Sequence, residues 1–434
     1  MPKVKKCSRI RTKFYNELCK LDNLRSAWGH VQARISASKN EKMKGKAEHF
    51  QKNIEQSLAN LREQLRQHTF QFSSEATPIK KKDKKSERPV VNLNTVEGRI
   101  VQKCLLDILQ NHAKMQKYFN CDASYGGLRK KNVAMAVKTI YCSLRDKGHI
   151  FAKATDIKSF FTKIKSDSVL NRIAEFCHDD DFMKLLKNAI QLEVSNLDTI
   201  KDREDLYYQY IYTEEGVPQG SCLSPLFGNI YLYDLDLKML SNSNITYLRY
   251  IDDVIILGKT KEDVEKAFLE QLVPGLEALG LGISVNKTTK DCVNLAKNCI
   301  EYLGVDISKC RIKPTQKAFT KIKTEIRNLL TDALNDKAIK RKSFFETLNT
   351  VNGKITGWSH HYSFCHAKNE FNALDAEIDK EMVAFFNKYQ EKIKNSSAAE
   401  CRQRLGIKRS MDIIDQKNKN DIIKKYKEDA LTKK

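Results

Sequence analysis

The chain has 434 residues, 41% of them hydrophobic, which is enough for two or three packed modules and excludes an intrinsically disordered protein. Lysine and arginine total 77 against 54 acidic residues, so the formal charge is +23 and the expected partner is a polyanion, nucleic acid first. The 12 cysteines are scattered singly with no CxxC pair, which argues against a zinc module and fits thiols used as small core residues in a reducing cytosol. The basic N-terminus lacks the apolar stretch of a signal peptide, and no run of about 18 apolar residues exists, so the expectation is a cytoplasmic chain without a membrane span.

Residues 1–75 read as helices. Leu21, Leu24, Trp28, Val31 and Ile35 fall at helical spacing, and Phe50, Ile54, Leu58, Leu61 and Leu65 repeat the pattern. From Pro78 to Val91, short apolar ends flank a basic, turn-forming middle with five lysines, which reads as a hairpin with a cationic tip. Helix returns over 97–145, and His149 to Ile157 looks like a strand ending in an acid. Helical patterns fill 167–192, and Leu206 to Tyr212 reads as a further strand pair. A Gly-Pro-Gly segment follows, with a helix starting near Ser224-Pro225, where proline suits the first turn. Thr246 to Leu257 reads as strand, turn and strand, and 262–280 as helix. Ile283–Val285 and Cys299–Ile307 supply short strands, and the chain is helical and basic after 315, with a charged tail from about 408.

The sharpest chemical feature is Tyr250-Ile251-Asp252-Asp253, two adjacent carboxylates inside an apolar run. Burying them costs several kcal/mol unless a cation or water compensates. A metal site resolves that conflict; an ordinary exposed hairpin turn is the plain alternative. Asp156 adds a third carboxylate at a strand end, beside Phe160-Phe161. Phosphoryl transfer by two metals needs oxygen ligands from separate elements around the attacking hydroxyl and the leaving pyrophosphate, and carboxylates favour Mg²⁺ or Mn²⁺ over zinc. The third element is Gly216-Val217-Pro218-Gln219-Gly220, a bend opening a helix, where backbone can approach a base pair closely and an amide side chain can bond it.

Taken together, these segments resemble the reverse transcriptases. In order they are the basic hairpin, Asp156-Ile157-Lys158-Ser159-Phe160-Phe161, Val217-Pro218-Gln219-Gly220, Tyr250-Ile251-Asp252-Asp253, Asn286-Lys287-Thr288 and Tyr302-Leu303-Gly304-Val305, spanning about residues 78–310. More narrowly, Ser124-Tyr125-Gly126-Gly127-Leu128-Arg129, Leu226–Leu232 and Asn352–Trp358 resemble the bacterial group II intron-like branch.

The resemblance implies an α/β (α+β) right hand: a helical extension over 1–75, fingers over 76–145, a palm of antiparallel strands over 146–312, a helical thumb over 313–395 and a basic tail over 396–434. It implies catalysis by Asp156, Asp252 and Asp253, with two Mg²⁺ ions, or Mn²⁺ as a substitute, held by these acids and Ile157. Lys81 and Arg88 would hold the incoming triphosphate, though Lys80 and Lys82 compete with Lys81 for the register. Phe161 would exclude a 2′-hydroxyl or simply pack in the core. Gln219 would contact the nucleotide, and Lys287 would donate a proton to pyrophosphate or stay solvated. Tyr302, Leu303 and Gly304 would grip the primer, with a plain buried strand as the alternative.

The implied partners are an RNA template, a DNA primer or product, and dNTPs. The roughly 40 residues after the thumb are expected to be too few for intron-type DNA-binding and endonuclease modules, and the Val-Thr-Gly signature of retron enzymes is absent. The chain therefore looks most like stand-alone antiphage reverse transcriptases working with a non-coding RNA. The alternatives are a retron or group II intron maturase relative, an RNA-binding protein, or a polymerase with protein-primed or untemplated synthesis.

Overall fold

The computed structural model describes residues 13–38, 40–80, 87–211, 215–335, 342–411 and 413–414. The chain divides into two compact units, Met1–Asn294 and Leu295–Lys434.

The first unit opens with helices Lys13–Leu18, Leu21–Ser36, Glu41–Lys52 and Ile54–Arg66. The long apolar repeat seen in the sequence is broken at Asn53, between the last two. Leu24, Ala27, Trp28, Val31 and Ile35 form the buried stripe of the second helix, which lies against the helix Val96–Asn111. Trp28 keeps its polar edge satisfied by donating from Nε1 to Gln51 Oε1 at 2.9 Å.

Four short strands follow: β1 (Ser74–Ala76), β2 (Ile79–Lys80), β3 (Glu87–Arg88) and β4 (Val91–Leu93). β1 pairs with β4 and β2 with β3, both antiparallel, as the basic hairpin requires. Its tip, including Lys81, lies outside the described residues.

The central sheet has four antiparallel strands, β5 (Phe151–Asp156), β6 (Ile245–Tyr250), β7 (Asp253–Gly258) and β8 (Val293–Asn294), in the order β6-β7-β5-β8. Val254, Ile255, Ile256 and Leu257 are all fully buried, so the strand is covered on both faces and its sequence is a continuous apolar run rather than an alternation. The helix Lys261–Lys266 packs on β5 and β7, and Tyr233–Leu240 packs on β6.

Two stretches expected to form strands do not do so among the described residues. From Leu206 the chain continues a short helix, Glu204–Tyr207, into a 3₁₀ turn, Tyr208–Tyr210, while Tyr212 lies outside the described residues. Leu206 and Tyr210 are the buried pair, four residues apart, so helical spacing overrides the strand preference of the tyrosines. Ile283 makes only an isolated bridge to Ile157, and Val285–Lys287 is a 3₁₀ turn. Val285 is 78% exposed, so this stretch has no apolar face to bury in a strand.

The second unit holds a three-stranded antiparallel sheet of β9 (Ile300–Tyr302), β10 (Val305–Ile307) and β11 (Ile312–Pro314), with β10 central. Helices Gln316–Leu334, Phe344–His361, Lys368–Lys394 and Ala398–Leu405 follow. Phe319, Ile322, Ile326, Val351, Leu374, Ile378 and Phe385 form their shared core. A capping box from Ser343 and Glu346 starts the second of these helices.

Ile256→Ala, at the centre of β7, is expected to lower the stability of the first unit by about 2–5 kcal/mol, whereas Val285→Ala is expected to change it by less than about 0.5 kcal/mol. Urea unfolding followed by circular dichroism checks both.

Candidate active site

The site grows from one register. β5 and β7 pair so that Asp156 sits opposite Asp253, and β6 and β7 pair so that Tyr250 sits opposite Asp253. Ile251 and Asp252 are therefore a two-residue hairpin loop, and the Ile157 N–H donates to the Asp252 carbonyl at 2.9 Å. All three acids meet at one end of the sheet, although Asp156 lies far from the other two in sequence.

The loop is strained. Ile251 has φ +61°, in the left-handed region that tight hairpins usually give to Asn or Gly, and a β-branched residue there costs on the order of 1–3 kcal/mol. Its neighbours enforce it. The Arg249 N–H donates to Ala123 O at 2.7 Å and the Tyr125 N–H to Arg249 O at 2.9 Å. Gly126 then lies so close that an added Cβ would come within 2.5 Å of the Ile251 nitrogen. At Gly127, with φ +70°, a Cβ would come within 2.4 Å of Pro225 Cβ. Only glycine fits a segment wedged between the acidic loop and the helix Ser224–Tyr231.

Crowding shapes the electrostatics. Asp156 is 7% exposed and Asp252 and Asp253 are half-buried. Burial first, then the neighbouring Asp252 and Asp156, push the Asp253 carboxyl up to about 6. Burial and Asp156 raise Asp252 as well, while Lys287 and Arg88 oppose the rise on both. Raised carboxylates mark negative charge that the protein has gathered without fully compensating.

One cation is already present. Lys287 Nζ donates to Asp156 Oδ1 at 2.7 Å. Ser284 N–H to Asp156 O at 2.7 Å and Lys158 N–H to Gly282 O at 2.8 Å zip this segment along the end of β5. Among the described residues, no three His, Cys, Asp or Glu side chains are gathered closely enough to cage an ion as they stand. The donor set nevertheless fits a hard divalent cation, because it offers carboxylate oxygens and a surplus of negative charge. The Lys287 ammonium occupies one oxygen of Asp156, so an ion reaching that carboxylate meets a competing positive charge.

Other residues singled out from the sequence gather nearby. The Val217 N–H donates to Phe161 O and the Val91 N–H to Gln219 O, both at 2.8 Å, tying the Gly-rich bend to the helix Phe160–Lys163 and to β4. Phe161 is half-buried, its ring 5.4 Å from that of Phe160, and Gln219 is half-buried. Arg88 is exposed on β3. A cleft of about 630 Å³ beside the loop is lined by Arg34, Arg99, Lys103, Arg129, Lys131 and Tyr250. Tyr302, Leu303 and Gly304 belong to the second unit, where Leu303 (φ +50°) and Gly304 (φ +82°) make the β9–β10 turn. Sequence reasoning missed the steric role of Gly126 and the buried Arg249, whose signal was a guanidinium placed in an apolar strand.

A reverse transcriptase (RNA-dependent DNA polymerase) family model matches residues 79–307. An uncharacterized 91 kDa protein in the cob intron of Schizosaccharomyces pombe is 21% identical over 74% of this chain and 47% of its own. Protein YkfC of Escherichia coli is 25% identical over 41% of this chain and 40% of its own. The chain thus spans less than half the length of these relatives. Solved structures with a likeness include telomerase from Candida albicans with a fragment of telomeric RNA, with TM-score 0.40 and 14% identity over 77% of this chain and 61% of that one. Telomerase from Candida tropicalis gives TM-score 0.38 and 15% identity over 70% and 50%.

Gly126→Ala is expected to push the loop off its left-handed conformation, because overpacking here meets backbone rather than a flexible side chain. Hydrogen exchange should then quicken at the amides of Tyr125 and Arg249, while those of β10 in the second unit stay as slow as before.

Proposed function

Given that the chain belongs to the reverse transcriptase (RNA-dependent DNA polymerase) family, we propose that it joins deoxynucleotides on an RNA template at the acidic end of its central sheet. The observation that carries this reading is the pairing of Asp156 with Asp253, next to Asp252, in a setting that keeps the acids under electrostatic pressure. Two divalent cations, Mg²⁺ with Mn²⁺ as a substitute, would supply charge neutralisation at the attacking 3′-hydroxyl and the leaving pyrophosphate. Asp156, Asp252, Asp253 and Ile157 would hold them.

The remaining roles belong to the chain's own groups. Arg88, with its planar fork, binds the triphosphate of the incoming nucleotide, with Lys81 as its companion from the hairpin. Phe161 lies under the sugar and rejects a 2′-hydroxyl, and Gln219 contacts the nucleotide from the bend. Lys287, bonded to Asp156 in the structure, would hand a proton to the departing pyrophosphate. The template's phosphates run along the basic cleft lined by Arg34, Arg99 and Lys131, so binding falls steeply with salt. Tyr302, Leu303 and Gly304 would grip the primer strand.

The resemblance of the Ser124–Arg129 and Leu226–Leu232 segments to the bacterial group II intron-like branch supports a finer reading. In it the template is a non-coding RNA and the DNA product serves antiphage defence in the cytoplasm.

Purified protein with its co-purifying RNA, dNTPs and Mg²⁺ is expected to make DNA, and Asp252→Ala with Asp253→Ala to abolish synthesis while RNA stays bound. Full synthesis by that double variant contradicts the assignment. Phe161→Ala is expected to raise ribonucleotide incorporation about 10-fold or more, the scale of a lost steric contact; unchanged discrimination places the gate elsewhere. Phage plating on cells carrying the double variant separates defence by DNA synthesis from defence by RNA binding alone.

A further inference from the structure

We propose that Arg249, clamped by Asp236 and Asn229, is a positioning residue that holds the strained Ile251–Asp252 loop and so sets the direction of the metal-binding acids. The inference rests on the polymerase reading of that loop.

Arg249 is 1% exposed, at the penultimate position of β6. Its Nε donates to Asp236 Oδ1 at 3.0 Å and its Nη2 to Asp236 Oδ2 at 2.5 Å, a two-pronged pair with an aspartate that is itself 1% exposed. The Tyr247 hydroxyl donates to the same carboxylate at 3.0 Å. The third arm differs. Nη1 donates to Asn229 Oδ1 and to the Ile251 carbonyl, each at 3.0 Å. Asn229 passes the grip on, because its Nδ2 donates to Gly126 O at 3.0 Å and its Oδ1 accepts from Ser124 Oγ at 2.8 Å.

The network thus reaches both sides of the strained residue, its own carbonyl on one and the glycine wedged against its nitrogen on the other. A buried ion pair is poor evidence of added stability, since apolar residues of the same volume often do as well. What apolar residues cannot do is hold a carbonyl, and a strained conformation persists only where its surroundings over-determine it. A lysine cannot replace the fork either, because one ammonium cannot span Asp236, Asn229 and Ile251 together. Arg249, Asp236 and Asn229 are all buried, so none reaches substrate. Their influence passes through the loop.

The test uses the full chain with its RNA. Arg249→Lys is expected to stay folded and keep RNA binding within about 2-fold, yet to lose on the order of 100-fold in kcat with little change in KM for dNTP, the scale of a 1 Å misplacement. Binding of Mn²⁺ alone, read by electron paramagnetic resonance, is expected to weaken about 10-fold, as outer-shell losses do. Adding Ile251→Gly, which is at ease in the left-handed region, is expected to restore at least about 10-fold of the lost kcat. Should Arg249→Lys not fold, Asn229→Ala keeps the Arg249–Asp236 pair and the Arg249–Ile251 bond, cuts the links of Asn229 to Arg249, Gly126 and Ser124, and is expected to move kcat and Mn²⁺ binding in the same direction.

Unchanged kcat and Mn²⁺ affinity in a folded Arg249→Lys protein, or no recovery on adding Ile251→Gly, overturns the proposal. If the wild type makes no DNA but Mn²⁺ binding still falls in the variants, the polymerase reading fails and the clamp stands. If the wild type makes DNA and the variants match it, the reverse holds.

Discussion

Antiparallel pairing of β5 with β7 brings Asp156 face to face with Asp253, and the chemistry of the chain depends on that one register. A slip of one residue would turn every side chain of β7 to the other face and take the acid with it. The register is held by the buried run Val254–Leu257, covered on both faces, so the hydrophobic core that stabilises the sheet also decides where the charge lies. Apolar packing thereby forces together carboxylates that repel one another. Burial first, and the neighbouring acids second, raise the Asp252 and Asp253 carboxyls.

Such a site needs support from outside the sheet. The glycines of Ser124–Gly127 admit backbone where side chains would collide, and the Arg249 guanidinium ties the loop to helices Ser224–Tyr231 and Tyr233–Leu240 through Asn229 and Asp236. The reverse transcriptase family match, residues 79–307, spans the acids and the Gly-rich bend. The physical account adds why an isoleucine can occupy a position built for glycine or asparagine: the surrounding hydrogen bonds leave it no other conformation.

Much of this was legible from the residues alone. An apolar run interrupted by two acids announces the hairpin, and a proline after serine marks the helix at 224. The stretch from Leu206 to Tyr210 misled because aromatic composition spoke for strand while the buried spacing was helical. The 283–285 stretch misled because its two apolar residues, either side of Ser284, have no strand to make when Val285 faces solvent. Lys287 is largely exposed yet bonded to Asp156, a partner that no local pattern in the sequence signals. The Arg249 network stayed hidden because its members lie 13 to 20 residues apart in Asp236 and Asn229, with Ser124 a further 105 residues from Asn229 and no local pattern to join them. Gly126 and Gly127 could be matched to a family motif, but their steric reason exists only once the loop is in place.

The most direct test of the acidic site is anomalous scattering from crystals soaked with Mn²⁺ and a deoxynucleoside triphosphate. The expected result is manganese density about 2–2.6 Å from carboxylate oxygens of both Asp156 and the Asp252–Asp253 pair, with Lys287 turned away from Asp156. Ordered density for all three acids without manganese between them would contradict the claim that they converge to hold the catalytic ions.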